Sequence, residues 1–257
     1  MTRGANEARI YKAAAPSVVL IVTDSALGSG AVIGPGGLVI TNLHVVGNSN
    51  DVGVVFKPKL EGAKIEKSDI HVGHVIRRDE VADLALVQVP DAPSDVPIIA
   101  IGKTDSVEIG DDVHAIGHPT GEDWTYTKGI VSQIRREFKW MGDEDHLAHE
   151  ATVIQTQTPI NPGKSGGPLI DNKLQIVGIN SFKSEGEGLN FAVSADDINA
   201  FLERSQDRTV AVAVPAASQT CKWTIISQRL STDPAGTYQA LAGPIHTDDG
   251  QSPVTTG

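Results

Sequence analysis

NPGKSGGPL, at residues 161–169, is the stretch from which the rest of this chain can be interpreted. It places Ser165 among three glycines and two prolines, and the β-type runs GPLID (167–171) and LQIVGINSF (174–182) follow it. Glycine has no Cβ, so the backbone can turn sharply there and approach other groups closely. A serine held in such a turn is a candidate nucleophile, and the rest of the sequence indicates which type of active site it belongs to.

Two other motifs share part of this pattern. A nucleotide-binding P-loop also contains Gly-Lys-Ser, but it needs a glycine five residues earlier, where this chain has Thr158, and it needs a helix afterwards. A nucleophile elbow has the pattern G-x-S-x-G, but in that fold an acid and then a histidine follow the serine. His246 is the only histidine after Ser165, and it lies in a weakly patterned region. Neither motif is favoured.

Two further reactive side chains lie upstream of Ser165, each at the end of an apolar run. His44 lies in TNLHVV (41–46), and Asp83 opens DLALVQV (83–89). The order His, Asp, Ser is that of the chymotrypsin-type triad. A serine hydroxyl needs an adjacent base, and that base needs a third group that fixes its tautomer. The sequence therefore predicts Ser165 as nucleophile, His44 as general base and Asp83 as its orienting acid.

Short β-type runs recur along most of the chain, separated by Gly, Pro, Asn and Asp. About thirteen such runs lie between residues 17 and 194, and no long helical pattern separates them, which favours antiparallel barrels over alternating strands and helices. A proline-rich break, PDAPSDVP at 90–97, divides the runs into two groups. The prediction is an all-β fold with two six-stranded antiparallel barrels, at about 16–95 and about 96–194.

Helical patterns are confined to the flanks of these runs. Residues 5–15 are rich in helix formers and stop before a proline. Residues 195–206 (ADDINAFLERSQ) follow a capping serine and place three apolar side chains on one face, which predicts a short C-terminal helix. Residues 207–257 are predicted to be a C-terminal extension that is partly disordered.

Taken together, these residues resemble the protease domain of the HtrA/Deg family of trypsin-like serine proteases. The resemblance covers about 16–203 and implies one such domain at 1–206. It implies hydrolysis of internal peptide bonds through an acyl-enzyme, without a metal or cofactor. The matching segments are SGAVIG (29–34), TNLHVV (41–46), DEVADLALVQV (79–89), GDDVHAIGHPTG (110–121), TKGIVSQ (127–133), QTQTPINPGKSGGPL (155–169), IVGINS (176–181) and LNFAV (189–193).

The resemblance also implies roles for residues around the nucleophile. The backbone N–H groups of Gly163 and Ser165 are expected to form the oxyanion hole. The expected substrate pocket is lined by Pro159, Ile160, Asn180, Ser181 and Phe182. Its apolar members predict a small or medium apolar P1 side chain, and no acid stands at the start of the loop to select Lys or Arg.

The chain departs from the family pattern at two places. Lys164 stands where the family usually has asparagine, which puts the hydrogen bonding of the catalytic loop in question. Residues 207–257 are too few for a PDZ domain, so we expect none there. The pairs His71/His74 and His146/His149 lack an evident third ligand, and neither is expected to bind a metal.

Composition limits the classes of binding partner and the cellular compartments that are expected for this protein. The formal net charge is −11 and the pI about 5.1, so nucleic acid is not an expected partner. Cys221 is the single cysteine, which excludes an intramolecular disulfide and favours a reducing compartment. No apolar stretch reaches about 18 residues, and residues 1–12 do not read as a signal peptide. The expected location is the cytoplasm, or the periplasm or exterior if the natural chain is longer.

The expected partners are protein or peptide substrates, and a homotrimer built through Tyr11 is a further hypothesis. An alternative function belongs to another class: a gated or inactive protease fold that serves as a peptide-binding or chaperone-like module. Ordering of residues 181–188 and of the loop before position 161, together with acylation of Ser165, would distinguish the two.

Overall fold

The computed structural model describes residues 4–24, 26–119, 123–142, 146–159, 163–183 and 189–206, so the predicted extension at 207–257 lies outside the described residues. The helices are α1 Ala5–Ala14, α2 Leu43–Val46 and α3 Ala195–Gln206. The strands are β1 Val18–Val22, β2 Leu27–Gly34, β3 Leu38–Thr41, β4 Asp51–Phe56, β5 Ile70–Asp79, β6 Leu84–Gln88, β7 Ala100–Ile101, β8 Asp112–Gly117, β9 Thr125–Met141, β10 Ala148–Thr156, β11 Pro168–Ile170, β12 Gln175–Lys183 and β13 Asn190–Ser194.

The first barrel is closed by six antiparallel strands in the order β1-β2-β3-β6-β5-β4. Its strands are rich in β-branched residues, which suit a pleated, buried surface. The interior is filled by fully buried aliphatic side chains, among them Val19, Ile21, Val39, Val54 and Val87. Because the barrel is closed, it has no free sheet edge. The interior is filled by side chains, so a functional site has room only at the ends of the barrel, where the strands pass into loops.

The second barrel is a ring of six strands in the order β8-β9-β10-β13-β12-β11, which closes because β11 pairs with both β8 and β12. The prediction of two six-stranded barrels is confirmed. IIAIG (98–102), one of the β-type runs within the predicted range of the second barrel, forms only the two-residue strand β7, which pairs with β12 in parallel outside the ring.

A long hairpin made by β9 and β10 extends beyond the second barrel. Register pairs continue to Met141 and Ala148, far from the barrel wall. The hairpin reaches the segment that precedes β6: Nδ1 of His149 lies 2.7 Å from the carbonyl oxygen of Glu80, and the backbone N–H of Glu150 donates to the carbonyl of Val81 at 2.8 Å. The second barrel therefore supports the turn that leads to Asp83.

The predicted terminal helices are both present. Helix α1 buries Ile10 completely and is tied to the second barrel by an ion pair between Lys128 Nζ and Glu7 Oε1 at 2.9 Å. Helix α3 buries Ile198 and Phe201, and the hydroxyl of Ser194 caps it by accepting from the backbone N–H of Asp197. Among the described residues, no helix is both long enough and apolar enough to span a bilayer.

Candidate active site

His44 and Asp83 meet because their strands are neighbours. Strands β3 and β6 are antiparallel, with Thr41 opposite Ala85, so the residues just after β3 face the residue just before β6. His44 Nδ1 lies 2.8 Å from Asp83 Oδ2, and the His44 backbone N–H donates to the other carboxylate oxygen at 3.0 Å. Asp83 is 1% exposed. The buried carboxylate accepts from Nδ1, which leaves Nε2 as the basic nitrogen.

The backbone at Asp83 is held in an uncommon conformation. Its φ is 55°, in the left-handed region that few non-glycine residues occupy. The Asp83 carbonyl accepts from the Asn42 side-chain amide at 2.8 Å and from the Leu43 backbone N–H at 3.2 Å. These two bonds fix the turn so that the carboxylate faces the imidazole.

Ser181 connects this pair to the nucleophile. Its hydroxyl donates to Asp83 Oδ2 at 2.6 Å, and its carbonyl accepts from the hydroxyl of Ser165 at 3.0 Å. Ser181 lies at a β-bulge between the paired residues Asn180 and Phe182 of β12. A bulge redirects side chains locally, which lets one residue face both barrels. The structure thus brings the three predicted triad residues to one place, linked through a residue predicted only as a pocket member.

The loop that carries Ser165 is pinned by Ser29 on β2 of the first barrel. The Ser29 backbone N–H donates to the Ser165 carbonyl at 2.8 Å, and its hydroxyl donates to the Gly163 carbonyl at 2.7 Å. Gly163 has φ 95°, and a Cβ there would collide with the backbone of His118, so only glycine fits. In the sequence Ser29 stands only as a member of the segment SGAVIG (29–34), and no local pattern indicates this contact with the catalytic loop.

His118 supports Ser29 from the other side. Its Nδ1 lies 3.0 Å from the Ser29 hydroxyl oxygen, whose one hydrogen is already donated to Gly163. Nδ1 therefore carries the proton and donates. Burial lowers the pKa of His118 to about 3, so the ring is neutral under ordinary conditions.

Lys164, between the two expected oxyanion donors, is only 1% exposed. Its ammonium donates to the Thr127 hydroxyl at 2.7 Å and to the Pro159 carbonyl at 3.3 Å, and in the described parts of the chain no carboxylate pairs with it. Burial lowers its pKa to about 8. At the position where the family usually has asparagine, this protein therefore has a buried lysine whose amino group is bound by uncharged oxygen atoms.

The predicted pocket residues have different surroundings. Ile160 lies outside the described residues. Asn180 is fully buried, and neither atom of its side-chain amide has a hydrogen-bond partner among the described residues. Phe182 stacks on Phe191 at 4.8 Å and on Trp140 of the hairpin at 4.7 Å, measured between ring centroids. The sequence analysis did not predict a role for Trp140. Its spacing of two residues from Phe138 was the available signal, because residues i and i+2 of a strand lie on the same face.

The two histidines of the pair His71/His74 lie beside separate carboxylates. His74 Nδ1 lies 2.7 Å from Asp51 Oδ1, and His71 Nδ1 lies 3.2 Å from Asp91 Oδ2. Within the described ranges, no group of three or more His, Cys, Asp or Glu side chains is arranged to hold a metal ion.

Comparison with known proteins places this geometry in a family. Residues 28–179 match the model of the trypsin-like peptidase domain. Serine protease HTRA1A of Danio rerio is 38% identical over 183 residues, covering 71% of this chain and 35% of the relative. Serine protease HTRA1 of Xenopus tropicalis is 35% identical over 186 residues, covering 72% of this chain and 37% of the relative. The chain thus spans little more than a third of the length of these relatives.

Solved structures agree with the sequence relatives. The HtrA-type protease AlgW, a serine-to-alanine variant with tripeptide, superposes with a TM-score of 0.64 at 26% identity, covering 77% of this chain and 62% of that one. The inactive form of Rv3671c protease superposes with a TM-score of 0.61 at 27% identity, covering 76% and 91%. The resemblance drawn from the sequence is confirmed, and this chain belongs to the trypsin-like peptidase family, among relatives of the HtrA type.

Proposed function

We propose that this protein is a serine endopeptidase in which Ser165 is the nucleophile, His44 the general base and Asp83 the orienting acid. The observation that carries the proposal is the continuous hydrogen-bonded connection from His44 through Asp83 and Ser181 to Ser165. Family membership supports it. A structural serine would not need a buried carboxylate–imidazole pair beside it.

The proposed reaction uses these groups in two half-reactions. The Ser165 hydroxyl, which now donates to the Ser181 carbonyl, turns to His44 and gives up its proton as Oγ attacks the scissile carbonyl. His44 then protonates the leaving amine, and the acyl-enzyme forms. Water, activated by the same imidazole, releases the acyl group. The N–H groups of Gly163 and Ser165 are proposed to bind the oxyanion, each contributing about 3–4 kcal/mol.

We also propose that the P1 side chain is small or medium-sized and apolar, because Phe182 and Pro159 border the proposed pocket. Asn180 is the residue that can change this preference, since its buried amide has unused donors and acceptors. Peptides that differ only at P1 test the point. Fastest cleavage after valine or leucine supports the proposal, after lysine contradicts it, and after glutamine assigns P1 recognition to Asn180.

The decisive experiment is labelling with a fluorophosphonate probe, followed by mass spectrometry of the modified peptide. We expect an adduct on Ser165 in the wild type and none in Ser165→Ala. Ser106→Ala removes a serine whose hydroxyl bonds the Lys103 carbonyl, away from the triad, and is the matched control that keeps full labelling. The Ser165→Ala change is expected to lower kcat on any cleaved peptide by about 10⁴–10⁶.

One observation favours the second candidate, a gated or inactive peptide-binding module. The Ser165 hydroxyl donates to the Ser181 backbone carbonyl, so in this arrangement its proton is directed away from His44. Folded wild-type protein that forms no adduct with the probe, alone or with added peptide, would support this second function and exclude the first.

A homotrimer is proposed as the assembly, and a monomeric mass by light scattering would exclude it. Tyr11, the residue expected to build it, packs edge-on against Tyr126 of its own chain and donates to Glu61. The cytoplasmic location stays a prediction.

A further inference from the structure

Lys164 is a buried cation that the proposed reaction does not use. It is among the largest fully buried side chains of the described residues, and its surroundings offer it neutral oxygens instead of a carboxylate. Burying an ammonium without a counter-ion destabilises a fold, because the lost hydration is replaced only in part. Such a group is expected where it performs a task that an apolar side chain of the same size could not.

The position of Lys164 in the chain indicates the task. The peptide unit that follows Lys164 supplies the Ser165 N–H, and the unit that precedes it contains the Gly163 carbonyl bound by Ser29. The Lys164 carbonyl accepts from the Gly167 N–H at 3.0 Å. An anchored Lys164 side chain restrains the Lys164 Cα, and any displacement of the two flanking peptide units that moves this Cα would strain the contacts of the amino group.

The far end of the side chain is anchored on two separate segments. Thr127 belongs to β9, and Pro159 lies five residues before Lys164, so the ammonium ties the start of the catalytic loop to the barrel wall. The stem passes over Gly117 of β8, where an added Cβ would lie 3.1 Å from Lys164 Cγ. The side chain is thus confined along its whole length.

We propose that Lys164 is a positioning residue, whose buried amino group fixes the two peptide units that flank Lys164, one of which carries the Ser165 N–H of the expected oxyanion hole. This inference rests on the proposed peptidase function. Lys164 acts through the backbone and does not contact substrate. Burial lowers the pKa of Lys164 to about 8, so the ordered loop favours the neutral amine over the ammonium. The loop is therefore held more firmly as the pH rises through about 8 and Lys164 loses its proton.

The ionisable groups near Lys164 have pKa values in other ranges, so they do not mask its effect on the pH dependence of labelling. Burial lowers the pKa of His118, which follows β8, to about 3 and raises the pKa of Tyr126 on β9 to about 12. Lys128, further along β9, is ion-paired with Glu7 and Asp112 at the surface, and its pKa is raised. Lys164, with its pKa near 8, is the group among these that changes charge in mildly alkaline solution.

The test measures the rate of fluorophosphonate labelling of Ser165 against pH in three variants. Lys164→Met keeps the stem and removes the cation. Thr127→Val removes one acceptor and keeps the shape, which should make the ammonium easier to deprotonate. Lys173→Met, at an exposed lysine in the turn before β12, is the matched control.

We expect wild-type labelling to speed up as the pH rises through about 8, because the buried site favours the neutral amine. Lys164→Met should label about 10- to 100-fold more slowly at neutral pH, without this alkaline increase, and Thr127→Val should move the increase to lower pH. The control should match the wild type. Labelling of Lys164→Met within about two-fold of wild type, or with the same alkaline increase, would overturn the proposal. If Lys164→Met does not fold, an unmoved increase in Thr127→Val overturns it instead.

Amide hydrogen exchange separates this proposal from the peptidase proposal. The amides of residues 163–167 should exchange faster in Lys164→Met than in wild type, whether or not Ser165 reacts with the probe. A wild type that is never labelled contradicts the peptidase, and unchanged exchange contradicts the positioning role.

Discussion

Ser181 is the residue at which the two halves of the candidate site are joined. The Ser181 hydroxyl donates a hydrogen bond to the Asp83 carboxylate, and the Ser181 backbone carbonyl accepts one from the Ser165 hydroxyl. A hydrogen bond to an ionised group typically contributes about 1.5–3 kcal/mol. Losing this donor leaves the Asp83 carboxylate held, among the described residues, only by the two hydrogen bonds from His44, so the imidazole is less firmly oriented.

We therefore predict that Ser181→Ala lowers the rate of Ser165 labelling by about 10-fold, corresponding to about 1.4 kcal/mol of transition-state stabilisation. Ser181→Thr keeps the hydroxyl and should restore most of the rate, which a purely structural role would not require. Labelling of Ser181→Ala at the wild-type rate would show that the hydroxyl does not position Asp83.

His44, Asp83 and Ser165 could be proposed from the sequence because each lies in a short motif at a strand end and their order is that of the chymotrypsin-type triad; the structure brings them together, and their catalytic roles stay a prediction. The roles of Ser29 and Ser181 were not accessible in this way. Both depend on which backbone groups of one barrel face the other, and no local pattern records that. Lys164 differs from the asparagine that is usual in the family, and the sequence shows this difference. Its burial could not be predicted, because it results from packing against β8 and β9, which are distant in sequence.

The hairpin of β9 and β10 is the element that the sequence described least well. Residues 135–147 are mostly charged, so the apolar alternation of Phe138 and Trp140 was outweighed by polar neighbours. In the structure these rings stack with Phe182 and Phe191. Tertiary stacking, rather than strand propensity, stabilises the extension.

His149→Ala tests what the hairpin does for the site. His149 is 2% exposed, packs against Trp140 and bonds the Glu80 carbonyl, so its loss should destabilise the protein by about 1–3 kcal/mol. Labelling of Ser165 should slow several-fold, because the turn before Asp83 loses a support. Urea unfolding and labelling kinetics measure the two effects. His146→Ala, at an exposed position of the same hairpin, should change neither.

At the scale of the whole molecule, the interface between the barrels is a source of acid sensitivity. His118 is buried and neutral, with its pKa lowered from 6.5 to about 3. The unfolded chain binds a proton there that the folded protein excludes. The resulting stability is present above pH 6.5 and is lost as the pH falls towards 3.

We predict a loss of about 2–3 kcal/mol of unfolding free energy between pH 7 and pH 4 from this residue. In His118→Gln, which retains a donor towards Ser29, the stability should depend less steeply on pH over that range. Urea titrations at several pH values measure the slope, with His146→Gln as the exposed control. An unchanged slope would assign the acid sensitivity to other groups.

His44 and Asp83 belong to the first barrel and Ser165 to the second, so neither barrel holds all three proposed catalytic residues. Halves of the chain divided within residues 90–97 would each be inert towards the probe. Labelling in their mixture would then report fragment complementation, with the enzyme's own serine as the reporter and no added tag.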